Sequence, residues 1–138
     1  MENTQNHCGG IPLSKEYTNM VADILSPRNI RLHIDGARIF NASVALGIEP
    51  SALVETADSV MFCLSKGLCA PVGSILCGPN EFIQRARKIR KQLGGGMRQA
   101  GILGAAGIVA LDEMIERLEE DHLRAKNLAE GMKELPGI

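Results

Sequence analysis

The fold is decided by a stretch in the first third of the chain, Ile30-Arg31-Leu32-His33-Ile34-Asp35-Gly36-Ala37-Arg38. Residues 30–34 alternate apolar and polar side chains, which is typical of a short strand. An apolar run at 59–64 predicts a buried strand, and a third strand is predicted at 72–77. Predicted helices lie around these strands at 14–25, 39–46, 51–56, 81–93 and 100–135. Strands that alternate with helices indicate an α/β layered fold.

The predicted sheet looks incomplete. Only three strands are predicted, and the first two have the character of a larger, mostly parallel sheet that is covered by helices on both faces. The 138 residues begin in a polar loop and stop at 136–138 without a terminal element. We therefore expect residues 1–138 to be an internal segment of a longer protein.

Composition excludes several classes of partner. The chain has 15 Lys and Arg against 16 Asp and Glu, so it has no general attraction to nucleic acid or to anionic membrane. No apolar run is long enough to span a bilayer, and the polar N-terminus is not a signal peptide, so we expect a cytoplasmic protein. None of the cysteines has the C-x-x-C spacing of zinc sites, and three lie in apolar, strand-like surroundings. We expect reduced thiols and no metal at Cys8, Cys63, Cys69 and Cys77.

Asp35 stands at the predicted end of the first strand. In open α/β sheets, ligands bind beyond the carboxyl ends of the strands. A carboxylate there, followed by Gly36 for close approach, suits a buried cation such as the pyridinium nitrogen of pyridoxal phosphate, which needs an acidic partner. The alternative is that Asp35 caps a helix that begins near Ala37, and Asp35 taken alone favours this alternative.

Lys66 stands at the end of the next strand, in Cys63-Leu64-Ser65-Lys66-Gly67. We expect it to be buried because an apolar strand precedes it, and burial and nearby charge lower the pKa of a lysine so that its amine can form a Schiff base. Ser65 can hydrogen-bond a phosphate, and Gly67 permits a tight turn. A single Ser-Lys-Gly favours a solvent-facing loop lysine instead. The pairing with Asp35 on the neighbouring strand end favours the cofactor-bearing interpretation.

Other polar residues have two interpretations each. Arg38 is suited to the phenolic oxygen of the cofactor or to a substrate carboxylate, and equally to a surface ion pair. His33 shares the face of Asp35, where a supporting role is favoured over that of a catalytic base. The run Gly-Gly-Gly-Met-Arg-Gln at 94–99 precedes a predicted helix, and it is either an anion-binding site or a simple connection. The basic stretch 85–91 is a solvated helix face or, less commonly, a contact with another subunit or with phosphate.

Together these motifs resemble the low-specificity L-threonine aldolases, which are fold-type I enzymes that use pyridoxal 5'-phosphate. The matching segments follow in order along the chain, at 2–4, 33–42, 63–68, 70–74 and 94–99. The resemblance implies that the chain is part of a large α/β domain, that a smaller C-terminal domain follows it, and that a homo-oligomer, dimer or tetramer, forms the active sites between subunits. It also implies an antiparallel strand at 72–77. The reaction it implies is that of a carbon–carbon lyase, the retro-aldol cleavage of L-threonine or L-allo-threonine to glycine and acetaldehyde.

The resemblance also implies roles for individual residues. Lys66 would be the catalytic lysine that carries the cofactor, and Asp35 would be the partner of the pyridine nitrogen. Arg38 would bind the phenolate of the cofactor or the carboxylate of the amino-acid substrate, and Ser65 would lie near the phosphate.

Two basic residues would serve a neighbouring subunit, and one position departs from the family. Lys91 would reach the substrate, and Arg98 the cofactor, in the neighbouring site. Gln5 stands where the family usually has His, and glutamine can hydrogen-bond but cannot titrate.

The chain also lacks segments that the family has. The phosphate-binding Gly-Thr loop and the ring-stacking His, which precede Glu2 in the family, are absent, as is the C-terminal domain with its carboxylate-binding Arg. We therefore expect the chain alone to be inactive. The alternatives are another fold-type I enzyme, such as an aminotransferase or a β-eliminating lyase, or a non-catalytic remnant that acts only in subunit association.

Overall fold

The structure, a computed structural model, describes residues 1–133 and 135–137. The longer elements follow in the order α1 (Lys15–Leu25), β1 (His33–Asp35), α2 (Ile39–Leu46), α3 (Pro50–Leu53), β2 (Ser59–Cys63), β3 (Ser74–Cys77), α4 (Asn80–Gln92), α5 (Gly101–Glu113) and α6 (Leu118–Met132). Short 3-10 helices lie at Asn6–Cys8 and Ser26–Arg28. The predicted α/β class is confirmed.

The three strands form one sheet in the order β1-β2-β3. β1 runs parallel to β2, and β3 runs antiparallel to β2, as the resemblance implies. The N-terminal residues extend the sheet on its other side, where Glu2 forms a parallel bridge with Asp35. Because β1 and β2 are parallel neighbours, their carboxyl ends lie at the same edge of the sheet.

All three strands are shorter than the sequence predicts, β2 by a single residue at its end. The predicted start of β1 is lost because the Leu32 N–H donates to the Asp58 carboxylate at 2.8 Å rather than to a strand, and Ile30 is exposed. β3 begins only at Ser74 because Gly73 has a φ of 122°, a conformation that interrupts an extended chain. Every residue of β3 is exposed in the part of the chain that the structure describes.

The helical region predicted at 100–135 is two helices rather than one. A turn at 114–117 separates α5 from α6, and the Leu118 N–H donates to the Ile115 carbonyl at 3.1 Å. No proline or glycine explains the break. It brings Leu118, which is 2% exposed, into the core, so tertiary packing overrides a continuous helical pattern here. Glu134, within the predicted helix, lies outside the described residues.

The core lies beside the sheet in two apolar clusters. One joins the loop after β2 to α5 and α6 through Leu64, Leu68, Ala70, Ala110 and Leu118. The other joins α2 to α3 through Ile39, Ala42 and Leu53. Phe40 and Phe62 contact both clusters, and their rings meet edge to face with centroids 5.1 Å apart. This packing fixes α2 and α6 against the loop that carries Lys66.

Candidate functional site

The backbone around Asp35 is held from both sides. On one side its N–H donates to the Met1 carbonyl at 2.8 Å, and its carbonyl accepts from the Asn3 N–H at 3.0 Å. On the other side the Gly36 N–H donates to the Met61 carbonyl at 2.8 Å. A Cβ at position 36 would lie 3.0 Å from that carbonyl oxygen, so the close approach predicted for Gly36 is found. Asp35 is therefore fixed at the carboxyl edge of the sheet.

The Asp35 side chain is only partly engaged. Oδ1 accepts from the Ala37 N–H at 3.0 Å, a local turn bond. α2 begins at Ile39, and its N-cap residue is Arg38, whose side chain forms no capping hydrogen bond. Asp35 is therefore not the N-cap residue of α2. Within the described part of the chain, no donor approaches Oδ2. That oxygen can accept a proton or a hydrogen bond from a ligand.

The loop after β2 is anchored by apolar residues and presents polar ones. Leu64, Leu68 and Ala70 are buried, and the Ala70 N–H closes the loop on the Leu64 carbonyl at 3.0 Å. Ser65 and Lys66 are exposed. The burial predicted for Lys66 is therefore wrong, because the loop turns Leu64 and Leu68 into the core and leaves Ser65 and Lys66 between them at the surface.

A cavity of about 440 Å³ brings Lys66 and Arg38 together. Its far wall comes from the start of α6, with Arg117, Glu120 and Arg124. Glu120 pairs with both of those arginines. In residues 1–133 and 135–137 no carboxylate forms an ion pair with Lys66 or Arg38. Asp121 also lines the cavity, so four cationic side chains face two carboxylates and the lining is positive overall. Such a space suits a small anionic ligand.

Asp35 and Ser65 lie near this cavity in the chain but do not line it. Lys91 and Arg98 are exposed and do not line it either. A Cβ at Gly96 would lie 2.6 Å from the Lys91 Cδ, so the glycine run folds back over the end of α4. Among the described residues, the predicted site residues Lys66 and Arg38 line one cavity together.

The remaining polar predictions have local partners. His33 Nδ1 lies 2.8 Å from Ser59 Oγ on the neighbouring strand, which agrees with a supporting role. Gln5 caps the first 3-10 helix, with its Oε1 accepting from the Cys8 N–H at 2.8 Å. Neither lines the cavity of Lys66 and Arg38.

Sequence reasoning assigned no role to the residues that complete the cavity. Asn41 and Cys69 line it from α2 and the lysine loop, and Arg117 and Arg124 line it from α6. The α6 residues lie far along the chain, and no local motif connects them with Lys66. Cys69 lies in the loop after β2 with a left-handed φ of 59°.

The clearest pKa changes lie away from this cavity. The Leu32 N–H and then the Arg31 guanidinium hold the pKa of Asp58 below its usual value, next to the start of β2. The Lys15 ammonium likewise lowers the pKa of Glu55. These carboxylates connect secondary-structure elements and lie at the other end of the strands from Lys66.

The described residues contain neither a membrane-spanning helix nor a cluster of metal ligands. None of their helices has the length and apolarity needed to cross a membrane. No group of three or more His, Cys, Asp or Glu side chains among them lies close enough to hold a metal ion. The four cysteines are unpaired.

Comparison with known proteins gives consistent matches. The family model described as beta-eliminating lyase matches residues 1–138. The chain is 54% identical over 138 residues to low-specificity L-threonine aldolase 1 of Arabidopsis thaliana, covering all of this chain and 38% of that protein. It is 50% identical over 134 residues to the low specificity L-threonine aldolase of Escherichia coli K12, covering 97% of this chain and 39% of that protein.

A solved structure gives the same picture of the fold. A protein from Exiguobacterium sp. 255-15, assigned as an aromatic amino acid beta-eliminating lyase/threonine aldolase, superposes with a TM-score of 0.89 at 28% identity. The alignment covers 99% of this chain and 38% of that chain. The chain thus spans well under half the length of the relatives it matches.

Proposed function

Because the chain belongs to the beta-eliminating lyase family, we propose that it is the lysine-bearing part of a pyridoxal phosphate enzyme. The reaction proposed is cleavage of L-threonine or L-allo-threonine to glycine and acetaldehyde. The names of the relatives support this substrate. The position of Asp35 and Lys66 at the ends of neighbouring parallel strands is the observation that supports cofactor-dependent chemistry. We propose that residues 1–138 form part of the large cofactor-binding domain.

The residues present fit the charges of pyridoxal phosphate. The cofactor carries an aldehyde, which matches the amine of Lys66, and a phenolate, which matches the guanidinium of Arg38 in the same cavity. Its phosphate matches the hydroxyl of Ser65, and its ring nitrogen matches Oδ2 of Asp35 at the strand edge outside that cavity. The volume of about 440 Å³ lies within the usual range for small-ligand sites. When bound, the cofactor supplies an electron sink for the bond that is cleaved.

Each residue then has a role set by its position. Lys66 would hold the cofactor covalently through its exposed amine. Asp35 keeps a proton on the ring nitrogen. Arg38 orients the substrate carboxylate or the phenolate, and Ser65 hydrogen-bonds the phosphate.

We further propose that the complete protein is a homo-oligomer in the cytoplasm. Lys91 and Arg98 are exposed and lie outside the cavity of their own chain, which supports a role for Lys91 at the substrate and Arg98 at the cofactor of a neighbouring copy. The unpaired cysteines of the described residues support a reducing compartment. Cross-linking at Lys91 and cell fractionation test these two points.

β-Elimination is the second candidate reaction, because the matching family model is described as beta-eliminating lyase. Both reactions use a lysine and an aspartate at strand ends, so the fold does not separate them. Release of acetaldehyde from L-threonine identifies the aldolase, whereas release of pyruvate and ammonia from a β-substituted amino acid identifies the eliminating enzyme. Amino transfer to a keto acid identifies an aminotransferase.

The first experiment tests cofactor attachment. The 138-residue chain is incubated with pyridoxal phosphate, reduced with borohydride and digested, and the modified peptide is identified by mass. We expect the label on Lys66, its loss in Lys66→Ala and its retention in Lys88→Ala, a control on the exposed face of α4. Label on another lysine, or equal label in Lys66→Ala, overturns the assignment of Lys66.

The second experiment tests turnover. The matching segment of the E. coli relative is replaced by this chain, which is possible because the two are 50% identical over 134 residues. We expect the hybrid to release acetaldehyde from L-threonine and to lose this activity with Lys66→Ala. A folded hybrid that binds the cofactor but cleaves neither L-threonine nor L-allo-threonine would contradict the aldolase assignment.

A further inference from the structure

The residue after Lys66 packs against an amide side chain. A Cβ at Gly67 would lie 2.8 Å from Asn41 Oδ1 and 3.3 Å from Asn41 Nδ2. The Asn41 amide therefore lies directly against the backbone of the lysine loop. Asn41 also lines the cavity that contains Lys66 and Arg38, so this contact is on the wall of the proposed site.

The Asn41 amide is itself held from α6. Asn41 Nδ2 lies 3.1 Å from Nε2 of His122, a residue 81 positions further along the chain. With the amide nitrogen toward the ring, the hydrogen bond forms when Nε2 of His122 is the acceptor. Both side chains are half-buried. The bond therefore connects α2, α6 and the lysine loop at one point.

α6 already packs against the lysine loop through apolar side chains, without the Asn41–His122 bond. Leu118 already joins α6 to Leu64 and Leu68 in the core, and a Cβ at Gly67 would also lie 3.0 Å from Leu118 Cδ2. The Asn41–His122 bond thus adds a directional hydrogen bond beside the apolar contact between α6 and the lysine loop. Lys66 has no side-chain partner among the described residues, so the loop backbone fixes only the position and direction from which its side chain leaves the chain.

We propose that Asn41, held by His122, is a positioning residue that fixes the backbone after Lys66 and so the direction of the lysine side chain. The expected consequence is faster capture of pyridoxal phosphate by Lys66, and this part of the inference rests on the proposed function. Its structural content, a loop made rigid by the Asn41–His122 bond, can be measured without any cofactor.

Two variants of His122 form a matched pair. His122→Phe keeps a ring of similar size but has no acceptor at the position of Nε2, whereas His122→Gln keeps an acceptor at that reach. In the cofactor-free chain, the backbone order parameters of Lys66 and Gly67 are measured by NMR relaxation. We expect them to fall in His122→Phe and to stay at the wild-type values in His122→Gln.

The second readout is the rate of cofactor capture at Lys66, by borohydride trapping. We expect His122→Phe to slow it about fivefold, the effect of losing one hydrogen bond, and His122→Gln to stay within about twofold of wild type. Unfolding midpoints are compared in parallel, because a purely structural role would lower the midpoint while leaving the order parameters of Lys66 and Gly67 in the folded state unchanged.

A third variant covers the case in which His122→Phe does not fold. Asn41→Leu keeps the side-chain volume next to Gly67 but removes the amide, and we expect the same drop in order parameters and the same slower capture. Wild-type order parameters in His122→Phe or in Asn41→Leu overturn the proposal. Absence of trapped cofactor in the wild-type chain would instead contradict the proposed function, and the order parameters would still decide the role of Asn41.

Discussion

Asp35 pairs with Met61 in parallel register across β1 and β2. β2 ends two residues after Met61, and the loop that carries Lys66 follows directly. The carboxylate and the amine therefore leave the sheet at the same edge, from adjacent strands. The Gly36 N–H to Met61 carbonyl bond and the Cys63 N–H to Ala37 carbonyl bond keep the two segments together beyond the strands, as far as the start of the loop that carries Lys66.

Asp35→Asn separates the chemical role of this residue from its structural one. The substituted amide keeps an oxygen for the Ala37 N–H, so we expect the unfolding midpoint to change little. It cannot hold a proton on the ring nitrogen, so cleavage of L-threonine by the hybrid enzyme should fall about a hundredfold or more, the usual effect of removing a preorganised electrostatic partner. Full activity in Asp35→Asn would contradict the role of Asp35.

Gly67→Ala tests the close contact after Lys66. The added Cβ would meet Asn41 and Leu118 at 2.8 and 3.0 Å, so we expect a loss of about 1–3 kcal/mol in the free energy of unfolding. Gly104→Ala is the control, because that glycine lies inside α5 with open space around it. There the helix should gain about 0.5–1 kcal/mol. Denaturant unfolding measures both, and similar values for the two variants would mean that Gly67 is not crowded.

Asn3→Ala tests the anchor of the N-terminal segment beside β1. The Asn3 side chain is 2% exposed, accepts from the Leu13 N–H at 2.9 Å and donates to the Leu13 carbonyl at 3.2 Å. Its removal leaves both backbone groups of Leu13 without these partners, so we expect a loss of about 1–3 kcal/mol. Asn127→Ala, at an exposed position of α6, should change stability by less than about 0.5 kcal/mol. Equal effects in the two variants would show that Asn3 is no anchor.

Asp58 predicts a pH dependence of stability. Its pKa is lowered in the folded chain by the Leu32 N–H and by Arg31, so its contribution is present above the unfolded pKa of about 3.9 and is lost as the pH falls through the lower, folded pKa. Asp58→Ala should therefore lower the unfolding midpoint at pH 7, and the difference from wild type should shrink below pH 4. Glu113→Ala, at an exposed position, serves as the control. A difference for Asp58→Ala that persists unchanged into acid would show that charge is not its cause.

Apart from the break between α5 and α6, the sequence by itself determined the order of helices and strands, and it placed Asp35 and Lys66 at consecutive strand ends. These features are local, since alternation, caps and glycines act within a few residues. The antiparallel direction of β3 came from the resemblance to a family rather than from any local pattern.

Only the tertiary structure decided which side chains share a space with Lys66. Arg117, Arg124 and the Asn41–His122 bond reach the lysine loop because the chain breaks between α5 and α6 and turns Leu118 into the core. The exposure of Lys66 was also decided there, since an apolar strand buries its own residues but not those of the loop that follows it. Contacts between residues so distant in the chain arise when the whole domain packs, and the hydrophobic periodicity of a short stretch of sequence does not predict them.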